Sequence, residues 1–131
     1  MDRKKDDFYY LEKIHKDIDF ILLHMKNVGK NQLQENEVLL DSMQFRLIQI
    51  SENANKLSDT FKLQHADIDW HEIYGLRNWL VHDYGNVDYE IVFMTLVNDI
   101  EPLKKKLLSY ARRQRRPLLL DNFLISGIIV Q

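Results

Sequence analysis

Residues 6–29 read DDFYYLEKIHKDIDFILLHMKNVG, and their spacing decides the fold class. Phe8, Leu11, Ile14, Ile18, Ile21, Leu22 and Met25 recur every three or four positions, which paints one apolar stripe along a helix. Asp6 and Asp7 suit its N-terminus, where a carboxylate accepts from unpaired amides, and Gly29 suits its stop. His15 and His24 are expected at its surface or boundary. The polar run GKNQLQEN predicts a turn. A second stripe, Leu39, Met43, Leu47, Ile50, Ala54 and Leu57, predicts a helix from about Glu35 to Ser58. Val38, Phe45 and Ile48 widen that stripe, so this helix is expected to sit deeper than the first. From Asp59 to Ile68 the period is lost and a connection is expected.

Asp69-Trp70-His71-Glu72 then follows the capping-box pattern with an acidic cap. A short helix should follow, carrying Trp70, Ile73, Tyr74, Leu76 and Leu80 up to the break at Gly85-Asn86. Asp88 caps a last long helix, in which Phe93, Leu96, Val97, Ile100, Leu103, Leu107 and Tyr110 keep the helical period. Pro102 falls inside it and predicts a kink or a new first turn. Lys104, Lys105 and Lys106 read as a solvated face. Beyond Arg116 the stretch PLLLDNFLISGIIVQ has no helical stripe and reads as an irregular tail. The expected fold is all-α: an up-and-down antiparallel helical bundle in residues 1–111, with a basic and apolar appendage at 112–131.

Composition agrees. The 131 residues include only 4 Gly and 2 Pro, too few for the many tight turns of a sandwich or barrel. The absence of Cys excludes disulfides, thiolate nucleophiles and iron–sulfur clusters. No apolar run is long enough to cross a bilayer, and MDRKKDDFYY has no apolar leader core, so a cytoplasmic location is expected. The apolar tail is short and interrupted by Asp121, which makes it a poor membrane anchor, so no membrane partner is expected. Net charge is −2; Arg112, Arg113, Arg115 and Arg116 against Asp121 give the tail +3 and leave −5 on the rest. Phosphate contact must therefore come from a local site or from the arginine cluster.

The chemistry concentrates in Gly75-Leu76-Arg77-Asn78-Trp79-Leu80-Val81-His82-Asp83-Tyr84-Gly85. In an unbroken helix Arg77 and His82 point about 140° apart; they converge better if the helix ends near Val81 and His82 swings back. A guanidinium can bind two phosphate oxygens at once, and an imidazole can take or give a proton near neutral pH. RNA brings its own nucleophile, the 2′-hydroxyl. The same spacing equally suits Arg77 paired with a surface carboxylate and His82 capping a helix end.

Arg77-Asn78-Trp79-Leu80-Val81-His82 resembles the ribonuclease motif of HEPN domains, and with Tyr84 it is similar to the Arg-x4-His-x-Tyr signature of HepT-like toxins. Ile50-Ser51-Glu52-Asn53-Ala54, the run Ile68–Asn78, Val87–Val92 and Asp99–Leu103 resemble the family's flanking segments, so the likeness covers roughly residues 5 to 110. The resemblance implies a metal-independent endoribonuclease, without cofactor, that acts on RNA as a homodimer with two motifs facing one cleft. It implies a partner too, a minimal nucleotidyltransferase antitoxin that transfers AMP to the motif tyrosine. Carried over, Arg77 binds phosphate, His82 is the general acid–base, Asn78 supports them, and Tyr84 accepts AMP. Glu52 is inferred, from its charge and its place in the similar helix, to support Arg77. Asp83 stands where the family has Gly and places a carboxylate beside the motif, where it is expected either to support His82 by favouring its protonated form or to repel RNA phosphate. The tail from 112 onwards has no counterpart in the family.

A non-catalytic HEPN module that binds a nucleotide or a nucleotidyltransferase is the alternative; intact Arg77, Asn78 and His82 favour the enzyme. His65, Asp67, Asp69 and His71 alternate as metal ligands sometimes do, but alternation in a connection does not converge side chains, and no metal site is expected. No Gly-rich phosphate loop is present, so nucleotide hydrolysis by this chain is not expected. The aromatic cluster Phe8-Tyr9-Tyr10 is expected to serve packing rather than base stacking.

Overall fold

The computed structural model describes residues 5–113. The described residues form seven α-helices, α1 (Asp7–His24), α2 (Lys30–Glu35), α3 (Glu37–Asn55), α4 (Asp59–Gln64), α5 (Trp70–His82), α6 (Tyr89–Asn98) and α7 (Ile100–Arg113), with a 3-10 turn at Tyr84–Asn86. The described residues are all-α, as the apolar spacing predicts. Of the appendage expected at 112–131, Arg112 and Arg113 continue α7, and the rest lies outside the described residues.

Acidic or amide caps start most of these helices, because the first amides of a helix have no internal acceptor. Asp6 accepts from the Tyr9 amide at 3.0 Å, Asn36 from Leu39 at 3.0 Å and Asp69 from Glu72 at 3.0 Å. Gly29 does not stop the first helix. That helix ends earlier, the chain reverses at Asn27 with φ of 61°, and Gly29 opens α2. The predicted polar turn thus contains a one-turn-and-a-half helix whose Leu33 is fully buried, and the predicted connection 59–68 contains α4 with Phe61 buried. Both are too short for a period to reveal. The last helix is broken at Asp99: Pro102 has no N–H to give the Asn98 carbonyl, so α6 ends there and Pro102 falls in the first turn of α7.

The core is built on the antiparallel pair α1 and α3. Leu11, Ile14, Ile18 and Ile21 meet Met43, Leu47, Ile50 and Ala54. The pair is pinned near its middle by Asp17 to Arg46 at 2.7 Å, and at one end by Asp7 to the Ser58 amide and hydroxyl at 2.7 Å each. Arg46 also stacks 3.8 Å over the Phe20 ring. α5 packs on the other flank of α3, and α7 packs on α1.

Three expectations about burial are corrected. His15 is fully buried, because it lies four residues after Leu11 and three before Ile18, inside the stripe. Lys104 is buried for the same reason, four residues after Ile100 and three before Leu107; its ammonium meets Asp19 at 2.5 Å. In the opposite sense, Val38 (79% exposed) and Phe45 (52% exposed) face outwards. They lie on one side of α3 with Glu52, since residues seven apart differ by only about 20° around a helix.

Candidate active site

α5 carries the motif, and its inner residues fix it. The Trp70 indole donates to the carbonyls of Lys62 at 3.2 Å and His65 at 3.1 Å, tying the start of α5 to α4. Leu80 is fully buried, while Ile73, Leu76 and Trp79 pack half-buried against the core. Their spacing leaves Arg77, Asn78, Val81 and His82 on the outer side.

Arg77 is held from two directions. Its Nε donates to Glu52 Oε1 on α3 at 2.5 Å, and its Nη1 donates to Asn78 Oδ1 at 3.0 Å. Arg77 and Glu52 are each about one-third exposed (32% and 35%), so the pair is open to a ligand. A guanidinium has five N–H donors, so these two bonds leave donors over for an anion. Ser51, Glu52, Asn55, Tyr74 and Arg77 line a cavity of about 200 Å³ at this point. The motif reading does not include Tyr74 and Asn55, although Tyr74 precedes Arg77 by three residues and helical spacing alone places them together.

His82 is the last residue of α5 and is exposed. The helix is unbroken through it, so the swing back towards Arg77 does not occur: the Asp83 amide still bonds the Trp79 carbonyl at 3.0 Å. The imidazole stands about 140° around the axis from Arg77, and one turn beyond Asn78. One protomer therefore assembles Glu52, Arg77 and Asn78, while no hydrogen bond among the described residues joins His82 to Arg77. Asp83 is the exposed cap of α5 and accepts the Asn86 amide at 2.8 Å through its carbonyl. Tyr84 opens the 3-10 turn; its side chain lies outside the described residues.

Of the alternating residues near α5, the side chains of His65 and Asp69 and the backbone of Asp67 have structural work. His65 is buried against the Phe61 ring, at 4.4 Å between centroids; Asp69 caps α5, and the Asp67 carbonyl accepts from Lys106 at 2.9 Å. Among the described residues no group of three His, Asp or Glu side chains is placed to hold a metal ion. No helix among them is long and apolar enough to cross a membrane. A second cavity, a groove of about 600 Å³, separates α5 from α6 and the start of α7; Leu76, Trp79, Ile91 and Leu103 give it apolar walls.

A helical bundle that presents an anchored arginine and a helix-end histidine on one short helix is the framework of a HEPN-type domain. A family model described as Ribonuclease HepT-like matches residues 14–109, and the chain belongs to that family. It is similar to “Putative RNase TTE0752” of Caldanaerobacter subterraneus subsp. tengcongensis, 27% identical over 81% of this chain and 95% of that protein. It is similar also to “Putative RNase MJ1380” of Methanocaldococcus jannaschii, 24% identical over 79% of this chain and 95% of that one. “Probable ribonuclease HepT” of Thermococcus cleftensis is 35% identical over 44% of this chain and 52% of its own length. No solved structure matches the chain.

Proposed function

We propose that this chain is the toxin of a toxin–antitoxin pair, an endoribonuclease that needs no metal, works as a twofold homodimer, and is silenced by AMP placed on Tyr84 by a partner nucleotidyltransferase. The observation that carries the reading is Arg77, fixed between Glu52 and Asn78, with His82 one turn beyond Asn78 on the same outer side of α5.

Arg77 binds non-bridging oxygens of the scissile phosphate and stabilises the charge that builds there. The RNA 2′-hydroxyl attacks phosphorus and an imidazole takes its proton. The bond from phosphorus to the 5′-oxygen breaks, and that oxygen receives a proton from an imidazolium. The two proton transfers call for two acid–base groups. One protomer offers one motif histidine, held away from its own Arg77, so two copies of the motif across a shared cleft complete the set. The exposed side chains Phe45, seven residues before Glu52, and Val81, four after Arg77, give the face that carries Arg77 an apolar rim suited to a second copy.

The purified chain in excess EDTA should cut single-stranded RNA and leave 2′,3′-cyclic phosphate ends, and light scattering should give twice its 15.8 kDa. A stable, active monomer, or cleavage that EDTA abolishes, would overturn the reading.

The control is proposed on the resemblance of Tyr84 to the family's motif tyrosine; in this chain it opens the turn just after α5. An adenylyl group there adds a negative phosphate that competes with RNA for Arg77. Co-expression with the cognate nucleotidyltransferase should raise the mass of this chain by one or more AMP units, mapped to Tyr84. Tyr84→Phe should cut RNA and escape neutralisation. An adduct on another residue, or none in a neutralised complex, would sink this part.

A further inference from the structure

The face of the bundle that carries Arg77 continues onto the start of α1, where tyrosines and lysines gather on an otherwise acidic body. Tyr9 is 36% exposed and its ring meets the Tyr10 ring edge-on at 5.2 Å. Lys5 Nζ lies 5.0 Å and Lys13 Nζ 5.2 Å from the centre of the Tyr9 ring, and Lys56 Nζ lies 6.0 Å from that of Tyr10. Tyr9, Lys13 and Lys16 fall within about 60° of one another around α1, and Lys5 comes just before the cap Asp6.

This cluster is joined to the motif. Asp7 holds Ser58, which seats the start of α1 beside the end of α3. Lys56 follows Glu52 by one turn and so lies on the side of α3 whose carboxylate grips Arg77. A path therefore runs from Arg77 past Glu52 and Lys56 to Tyr10 and Tyr9. The acidic groups along it are committed: Glu52 to Arg77, Asp7 to Ser58 and Asp6 to capping α1; Glu12 borders the stripe. Burial pushes the Tyr9 phenol up, but Lys13 and Lys5 outweigh it and hold the phenol below the usual tyrosine range.

We propose that Tyr9 and Tyr10, with Lys5, Lys13 and Lys56, form a stacking platform that holds single-stranded RNA running away from Arg77. The proposal rests on the ribonuclease reading and adds to it where the rest of the substrate lies. A base stacks on an exposed tyrosine whatever its identity, because every base has a π-face. The ammonium groups now over the Tyr9 ring are held there weakly, being exposed, and an arriving base displaces one of them towards its own phosphate. A duplex keeps its bases inside and offers this platform only phosphates. Tyr10 is half-buried against the core, in keeping with the packing role expected from the sequence, while Tyr9 lies at the surface with its ring against that of Tyr10.

The test is fluorescence anisotropy with a labelled single-stranded RNA and with a blunt RNA duplex, read over a salt series beside the KM for cleavage. Tyr9→Ala should weaken single-strand binding on the order of tenfold and duplex binding far less. Lys13→Ala and Lys56→Ala should each flatten the salt slope by about 0.7. KM should rise in all three, while Lys26→Ala, exposed in the turn after α1, behaves as wild type. Wild-type binding by Tyr9→Ala, or an equal loss on the duplex, would overturn the platform while cleavage by the wild type leaves the ribonuclease reading standing. A chain that binds RNA through Tyr9 yet never cuts it would sink that reading and keep the platform. A chain that neither binds nor cuts RNA sinks both.

Discussion

Alanine at His82 or at Arg77 should lower RNA cleavage by at least about 100-fold, the loss expected when a general acid–base or a charge-stabilising donor is removed. The fold should survive both changes. His82 is exposed at the end of α5, where substitutions usually shift stability by no more than about 0.5 kcal/mol. Arg77→Ala leaves Glu52 without its partner, but that carboxylate is 35% exposed and water can solvate it. Melting temperatures near wild type, beside a collapsed rate, would assign the loss to chemistry. Arg77→Lys should remain impaired, because one ammonium cannot meet Glu52, Asn78 and a phosphate in the geometry that a planar guanidinium offers. If the alanine variants cut RNA at the wild-type rate, the site lies elsewhere.

Acid should loosen the fold, through His15. Burial first, and then the charge of Lys104, lower its pKa from 6.5 to about 4. Below 6.5 the unfolded chain takes up a proton that the folded chain refuses, so stability falls as pH drops from 6.5 towards 4. The full loss is about 3 kcal/mol, from ~1.4 kcal/mol per pKa unit. Both ring nitrogens of His15 lack a hydrogen-bond partner among the described residues, so an apolar side chain of similar size sacrifices no bond. His15→Leu should therefore be the more stable protein at pH 5, with a flatter denaturation midpoint between pH 7 and pH 4. Asp17 works in the opposite sense: burial raises its carboxyl, against the pull of Arg46, and favours the folded state as pH falls. The comparison of variant with wild type isolates the histidine. An unchanged pH slope in His15→Leu would refute the assignment.

His15 and Lys104 also mark where the sequence could be read and where residue type misleads. Leu11, Ile14 and Ile18 announce the buried face of α1 by spacing alone, and that same spacing places His15 within it. Polarity argued for the surface, but a long stem and a single partner, Asp19, make Lys104 tolerable inside. Val38 and Phe45 mislead the other way, because a helix apolar on two sides does not say which side meets its own core. α2 and α4 leave no mark in the sequence pattern, because six residues hold too few repeats to show a period. At the candidate site the inner anchors, Leu76 and Leu80, and the cap Asp69 are local and readable. The bond from Arg77 to Glu52 spans 25 positions, and no spacing rule reaches that far. Nor could one strand of sequence decide whether α5 stops short of His82; the Asp83 amide bond to Trp79 settles it.

The way α5 is mounted bears on genetics. Leu80 is its single fully buried residue, α3 backs it on one flank, and the groove towards α6 leaves the other open. Substitutions scattered over its outer surface thus cost the fold little, whereas those in α1 or α3 strike the shared core. If the proposed activity halts growth, cells that escape it will accumulate changes on α5 and still make full-length, well-folded protein. Abundance on a blot would then say nothing about whether the gene is still harmful, and sequencing of survivors would redraw the outline of the site, residue by residue.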